Sequence, residues 1–114
     1  MKKVATLQEI TSHEQWKELL EQSEDQPFFI FKHSTTCPIS AFAHRQVSNF
    51  ETDLPVYYVK VIENRPISLE MADDLNVQHQ SPQAILVMHR LAKWDQSHYD
   101  ITQETLASAV DFLV

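Results

Sequence analysis

The chain contains no glycine in its 114 residues, and this absence restricts its possible folds more than any other feature. Walker A and Rossmann phosphate loops need glycine where the backbone approaches a phosphate closely, so both are excluded. Helix ends and hairpin turns that need a positive φ must use Asn, Asp or His, or be replaced by longer polar loops. Nucleotide-binding folds built on glycine-rich loops are therefore ruled out.

Composition predicts a single domain over residues 1–114. Apolar residues make up 43% of the chain, enough for one compact core, and the length fits one domain. The net charge is −7 without a cluster of Lys or Arg, so we expect no nucleic acid partner and attribute the acidity to solubility. No apolar run approaches the roughly 20 residues that span a membrane, so we expect no membrane partner.

The single cysteine, Cys37, predicts the compartment. One cysteine cannot form an internal disulfide, so the chain is not a secreted disulfide scaffold. Lys2 and Lys3 are not followed by the apolar segment of a signal peptide. We therefore expect a cytoplasmic protein.

Apolar periodicity predicts an alternating order of strands and helices. An edge strand or extended lead-in covers residues 4–10. Strands are predicted over 28–32, 56–61 and 84–88, with a turn over 89–93 and a hairpin partner over 94–99. Helices are predicted from the Ser12 cap to about Ser23, over 37–50, from Pro66 and after the Thr102 cap. The order indicates a single α/β thioredoxin-like domain with a central mixed sheet of about four strands flanked by helices.

The helical spacing also predicts which side chains face the core. Trp16, Leu19 and Leu20 form the apolar stripe of the first helix. The buried faces of the last two helices are predicted to consist of Leu69, Met71, Ala72 and Leu75, and of Leu106, Ala109, Val110 and Leu113.

Cys37 is the strongest candidate for chemistry. It follows a continuously apolar strand and a short polar elbow, and it opens a helix in which Pro38 occupies the first turn, where no N–H is needed. The first-turn N–H groups and the helix dipole favour a thiolate, which is the nucleophile in disulfide exchange. The alternative is a buried core cysteine, which is common for free Cys.

The segment His33-Ser34-Thr35-Thr36-Cys37-Pro38-Ile39-Ser40 resembles the signature of the YtxJ family, the monothiol bacilliredoxins of bacillithiol-producing bacteria. Segments 28–32, 81–83 and 99–102 resemble the same family, so the resemblance covers nearly the whole chain. It implies a thioredoxin fold, thiol exchange on bacillithiol mixed disulfides and a general stress role. The chain departs from the pattern at 89–93, where the Asn and Gly common in such turns are missing.

Three neighbours of Cys37 are predicted to support its thiolate. Thr36 can supply a hydroxyl and cap the helix, and Pro38 shapes the first turn. Ser40 lies three residues after Cys37, where a dithiol oxidoreductase carries its second cysteine, and it could donate a hydrogen bond to the thiolate. The alternative for Ser40 is an ordinary polar residue of the first turn.

A second group is predicted to bind substrate. Thr35 can supply a hydroxyl near the thiolate. The resemblance implies that the Ser81–Pro82 peptide bond is cis, which would expose the backbone of Ser81 for pairing with an extended substrate. The alternative is a trans proline that starts an edge strand. Lys32 and His33 could add positive potential, although solvated side chains are the usual outcome at the end of a strand.

The six histidines invite a metal hypothesis, but their spacing does not match common metal sites, and we expect none. No bound cofactor is expected; bacillithiol is a co-substrate, and bacillithiolated client proteins are the expected partners. The oligomeric state is left open. Two alternatives remain: a glutathione-linked or [2Fe–2S] monothiol glutaredoxin, and a non-catalytic stress or binding module whose cysteine is only capped.

Overall fold

One mixed β-sheet organises the protein and carries helices on both faces. The computed structural model describes residues 3–113, so Met1, Lys2 and Val114 of the predicted domain lie outside the described residues. The strands are β1 (Leu7–Glu9), β2 (Phe28–His33), β3 (Val56–Lys60), β4 (Gln83–Met88) and β5 (Leu91–Ser97). The helices are α1 (His13–Gln22), α2 (Pro38–Asn49), α3 (Arg65–Leu75) and α4 (Gln103–Ala109), with short 3₁₀ turns at His98–Asp100 and Val110–Leu113.

The strand order across the sheet is β1-β3-β2-β4-β5. β1 and β2 both pair with β3 in parallel, whereas β4 pairs antiparallel with β2 and with β5. This confirms the thioredoxin-like α/β prediction, with five strands instead of about four because β1 joins the edge beside β3. It also confirms β2 as a central strand, since its residues Phe28–Lys32 are all buried.

The side chains of β2 alternate between two cores because successive strand residues point to opposite faces. Phe28 and Ile30 pack with Trp16 and Met71, on the face covered by α1 and α3. Phe29 and Phe31 pack with the buried residues of α2 and α4, among them Ala43, Val47, Leu106 and Ala109. The functional elbow that follows β2 is therefore anchored from both sides of the sheet.

The helix caps follow the sequence signals. Ser12 Oγ accepts a hydrogen bond from the Gln15 N–H at 3.1 Å, and Thr102 and Thr105 form a reciprocal capping box. The helix α2 begins and ends one residue inside the predicted range, at Pro38 and Asn49. No helix within residues 3–113 has the length and apolarity needed to cross a membrane.

Two of the predicted buried faces need correction. Met71 and Leu75 are buried as predicted, but Leu69 is 39% exposed and Ala72 only half-buried, and the face is completed by Ile67 and Ser68. The buried arc is displaced because α3 docks on the sheet through a stripe that includes the polar Ser68. Val110 is also exposed, because α4 ends at Ala109 and the chain tightens into a 3₁₀ turn.

In this glycine-free chain, Asn and bulkier residues adopt the left-handed backbone conformation. Asn76 ends α3 with φ 54°, and His98 has φ 56°. The β4–β5 turn consists of only His89 and Arg90, with φ 55° and 62°, because Met88 and Leu91 already pair. The predicted turn over 89–93 is therefore too long, and β5 begins at Leu91 instead of Trp94.

Candidate active site

Cys37 is the residue that precedes α2, at the end of the elbow that follows β2. Its backbone is extended, its C=O accepts from the Ala41 N–H at 3.0 Å, and its N–H donates to the Ser34 C=O at 3.2 Å. The thiol is free and half-exposed, and it makes no capping hydrogen bond. The backbone of Cys37 is therefore fixed by two hydrogen bonds, while its sulfur stays available to a reactant.

The start of α2 suits a nucleophilic sulfur. Pro38 occupies the first turn, and this turn contains no acidic residue that would repel an anion. The unpaired N–H groups of a first turn favour negative charge at the residue before the helix. Because Cys37 itself holds the cap position, the prediction that Thr36 caps the helix is wrong. Thr35 and Thr36 lie exposed in the elbow.

Ser40 and His33 stabilise the elbow from its buried side. Ser40 is fully buried; its Oγ accepts from the Ser34 N–H at 2.9 Å and lies 2.7 Å from His33 Nδ1. Since the Ser34 N–H is one donor to this oxygen, the hydroxyl proton is free to go to the neutral imidazole. The described hydrogen bonds of Ser40 thus position the loop, and its support of the thiolate stays a prediction.

His33 is half-buried and lies in an aromatic stack, so the expectation of a solvated ring is wrong. Its ring lies 5.2 Å from the ring of Phe31 and 4.8 Å from that of His44, centroid to centroid. Burial lowers the pKa of His33, the nearby His44 and Lys60 lower it further, and Glu63 acts in the opposite direction. A neutral ring therefore fits its role as acceptor from Ser40.

Lys32 is also not solvated. Its side chain is 0% exposed and points to the opposite face of the sheet from His33. Its Nζ donates to the Ser68 C=O at 3.0 Å and lies 3.2 Å from His79 Nδ1. Burial lowers the pKa of Lys32 to about 8. The amine does not face the elbow that carries Cys37, so a direct effect on the sulfur has no support in the structure.

Ser81 and Pro82 lie at the same edge of the sheet as the elbow. Lys32 pairs with Gln83 across the antiparallel β2–β4 ladder, so the residues before Gln83 adjoin those after Lys32. The Ser81–Pro82 bond is cis, as predicted. The Pro82 C=O accepts from the His98 N–H at 3.1 Å, whereas none of the hydrogen bonds described within residues 3–113 uses the N–H or C=O of Ser81.

Sequence reasoning missed three polar residues of this region, namely Ser68, His79 and Gln83. The available signal was a polar residue next to an apolar run, since Lys32 follows the apolar residues of β2 and Gln83 precedes those of β4. Across the described part of the chain, no three His, Cys, Asp or Glu side chains form a group that could hold a metal ion.

A half-exposed thiol before a helix, at the same end of a mixed sheet as a cis-proline, is the arrangement of thioredoxin-fold redox proteins. Within this class, the family model described as "Monothiol bacilliredoxin BrxC" matches residues 8–106. The chain belongs to the monothiol bacilliredoxin family.

Solved structures agree with this assignment. A protein with a thioredoxin fold, assigned as an oxidoreductase, is 34% identical with a TM-score of 0.82, over 91% of this chain and 93% of that one. Thioredoxin from Trypanosoma brucei brucei is 14% identical with a TM-score of 0.73, over 97% and 93% of the two chains. Spinach chloroplast thioredoxin f is 14% identical with a TM-score of 0.66 over both whole chains. The two thioredoxins show the fold alone.

Proposed function

We propose that this protein removes bacillithiol from protein mixed disulfides by thiol–disulfide exchange through Cys37. The observation that carries the proposal is the available, half-exposed sulfur before α2, with the hydroxyl of Ser40 in place of a second thiol. The family assignment supports redox exchange in general, and bacillithiol is the specific thiol that we propose. The reducing cytoplasm, where a lone thiol stays free, is the compartment that we propose.

The first step is an ordinary disulfide exchange. The Cys37 thiolate attacks the bacillithiol sulfur of the client's mixed disulfide. A new S–S bond forms between Cys37 and bacillithiol, the client–bacillithiol bond breaks, and the client leaves as a thiolate that takes a proton from water. The number of disulfide bonds is unchanged, so the step needs no external oxidant or reductant.

The second step regenerates the protein. The thiolate of a second bacillithiol, or of a downstream reductase, attacks the bacillithiol sulfur bound to Cys37 and releases the Cys37 thiolate. Bacillithiol therefore acts as a co-substrate and not as a bound cofactor. Ser40 cannot perform this step because a hydroxyl does not attack a disulfide under these conditions.

The remaining predicted residues are proposed to hold the client. The N–H and C=O of Ser81, which no hydrogen bond described within residues 3–113 uses, suit pairing with an extended client segment, as in β-strand addition. Pro82 keeps this segment at the sheet edge through its contact with His98. The exposed hydroxyls of Thr35 and Thr36 are available to the polar groups of bacillithiol.

The test is mass spectrometry of the protein mixed with a bacillithiolated client. We expect wild-type Cys37 to gain one bacillithiol while the client loses one. Cys37→Ser, which keeps size and polarity, and Cys37→Ala should both reduce transfer to the uncatalysed rate, since neither side chain forms a disulfide. Circular dichroism of both variants serves as the control for folding.

Transfer that survives either substitution would contradict the proposal. A protein that is capped on Cys37 by free bacillithiol disulfide but leaves the client modified would indicate the non-catalytic module. Selective reaction with glutathionylated clients, or a coloured cluster-bearing dimer, would indicate a glutaredoxin-like protein instead.

A further inference from the structure

Two buried polar residues face each other at the edge of the sheet that carries the proposed site. Lys32 and Gln83 are direct partners in the antiparallel β2–β4 ladder, so their side chains share a face. Their exposed fractions are 0% and 1%. Lysine is almost never fully buried without a partner, and burying such groups costs free energy unless they are hydrogen-bonded. The hydrogen-bond partners of these two side chains therefore indicate the role of the two residues.

Both side chains bind the segment that leads into Ser81. Lys32 Nζ lies 3.2 Å from His79 Nδ1. Gln83 Nε2 donates to the Gln78 C=O at 3.1 Å, and Gln83 Oε1 accepts from the Gln80 N–H at 3.4 Å. Three consecutive residues, 78–80, are thus each held by one of two adjacent buried side chains.

The amine of Lys32 also reaches α3, where it donates to the Ser68 C=O at 3.0 Å. The amine thus has two partners on different elements, Ser68 O and His79 Nδ1. Lys32 therefore joins β2, α3 and the 78–80 segment at one atom. Gln78 is exposed and His79 and Gln80 are only half-buried, so polar contacts rather than apolar packing hold this segment.

We propose that Lys32 and Gln83 are positioning residues that set the place of the Ser81 backbone for the client. The inference rests on the proposed function, in which Ser81 pairs with the client. It goes beyond it by assigning recognition to two buried residues that touch no reactant. Small displacements of a positioned group reduce productive binding strongly, so losing one contact should weaken client binding while Cys37 keeps its reactivity.

The experiment compares four variants with wild type. Lys32→Met keeps the length of the side chain but removes the donors. His79→Leu removes the acceptor, whereas His79→Asn keeps an acceptor oxygen near the position of Nδ1. Ser23→Ala is the control, because Ser23 is equally buried but binds Leu20 and Arg90 at the opposite end of the sheet.

Two readouts are measured for each variant. In client transfer, Lys32→Met and His79→Leu should raise KM about fivefold or more, with kcat within about twofold of wild type. His79→Asn should stay near wild type, and Ser23→Ala should leave KM unchanged. In amide hydrogen exchange, the Gln80 N–H should exchange faster in Lys32→Met and His79→Leu, while the Ala41 N–H, which binds Cys37, keeps its protection.

Wild-type KM and wild-type exchange at Gln80 in both Lys32→Met and His79→Leu would overturn the inference. So would a KM that rises equally in His79→Asn or in Ser23→Ala, since this would indicate a general loss of stability. If the wild-type protein transfers no bacillithiol, the proposed function fails, and the exchange rates at Gln80 still decide whether Lys32 and His79 hold the segment.

Discussion

Lys32 and His33 are adjacent at the end of β2 but serve opposite faces of the sheet. His33 binds Ser40 and thereby the elbow that carries Cys37, whereas Lys32 binds His79 and thereby the segment before Ser81. Their alternation follows from the two-residue repeat of a strand. One dipeptide therefore holds both halves of the proposed site.

Lys32→Met should stabilise the protein at pH 7. The pKa of Lys32 is lowered by burial from 10.5 to about 8, so the folded state disfavours the charged amine. We expect the variant to gain about 1–3 kcal/mol of unfolding free energy, since removing a buried charge outweighs two lost hydrogen bonds. The measurement is urea unfolding of both proteins.

The gain in unfolding free energy of Lys32→Met should disappear with rising pH. Between pH 8 and 10.5 the unfolded chain binds a proton at Lys32 that the folded protein has released, so wild-type stability rises there relative to the variant. The groups that face the amine are the ring of His79 and the Ser68 carbonyl, with Arg65 near His79. A Lys32→Met variant that is less stable at pH 7, and whose difference from wild type does not change between pH 8 and 10.5, would contradict the lowered pKa of Lys32.

Lys17→Met is the matched control for this experiment. The pKa of Lys17 is raised, first by its hydrogen bond to Glu70 and then by that to Asp74. Its contribution to stability is therefore present at neutral pH and is lost as the pH rises above 10.5, the opposite sign to Lys32. Lys17→Met should show no gain at pH 7.

Among the elements, the β4–β5 turn shows how a chain without glycine closes a hairpin. His89 and Arg90 both have positive φ, the pattern of a type I′ turn, in which Asn-Gly is favoured. Their N–H groups donate to the carbonyl and the hydroxyl oxygen of Ser23. These backbone contacts compensate in part for side chains that fit the left-handed region poorly.

Replacing this turn with Asn-Gly should stabilise the protein. His89→Asn with Arg90→Gly removes the steric cost of left-handed backbone and keeps both N–H groups, so we expect a gain of about 1–2 kcal/mol in urea unfolding. The lost pair of His89 with Glu24 is half-exposed and contributes little.

Arg90→Ala, which keeps a Cβ, is the control for the turn and should bring no such gain. An Asn-Gly variant that is no more stable than wild type, or an equal gain in Arg90→Ala, would show that φ is not the cause. Client transfer should be unchanged in all of these variants, because the turn lies at the opposite end of β4 from Pro82.

Element boundaries were predicted well where a local signal exists. Ser12 and Thr102 cap their helices, and the apolar runs became β2 and β4 within one residue. The predictions failed where the packing of a helix on the sheet decides which of its residues are buried. Leu69 is apolar yet exposed, while Ser68 beside it is buried, because the orientation of α3 depends on the sheet below it.

In the whole molecule, one sulfur must serve every step of the exchange. The topology brings the end of β2 and the start of β4 to one end of the sheet, so under the proposed function a single small site would receive the client and the second thiol in turn. The chain has only one cysteine, so no internal thiol can resolve the adduct.

Transfer should therefore stop after one bacillithiol per protein chain when no free thiol is present. Adding bacillithiol should restore turnover, at a rate that rises with its concentration, because the second step then consumes it. The measurement is client release followed over time by mass spectrometry. Ser40→Cys is the control for resolution of the adduct: its second thiol should attack the Cys37 sulfur, release bacillithiol as a free thiol and leave an internal disulfide. Multiple turnovers of the wild type without added thiol would contradict the scheme.

Local patterns were enough to predict the fold class, the helix and strand order and the position of Cys37, because caps, apolar periodicity and a strand–elbow–helix signal are properties of neighbouring residues. The cis Ser81–Pro82 bond followed from the family resemblance. The burial of Lys32, its contact with His79 and the stacking of His33 on His44 join residues up to 47 positions apart. Only the tertiary structure decided these, because burial and partner choice depend on which elements pack across the sheet.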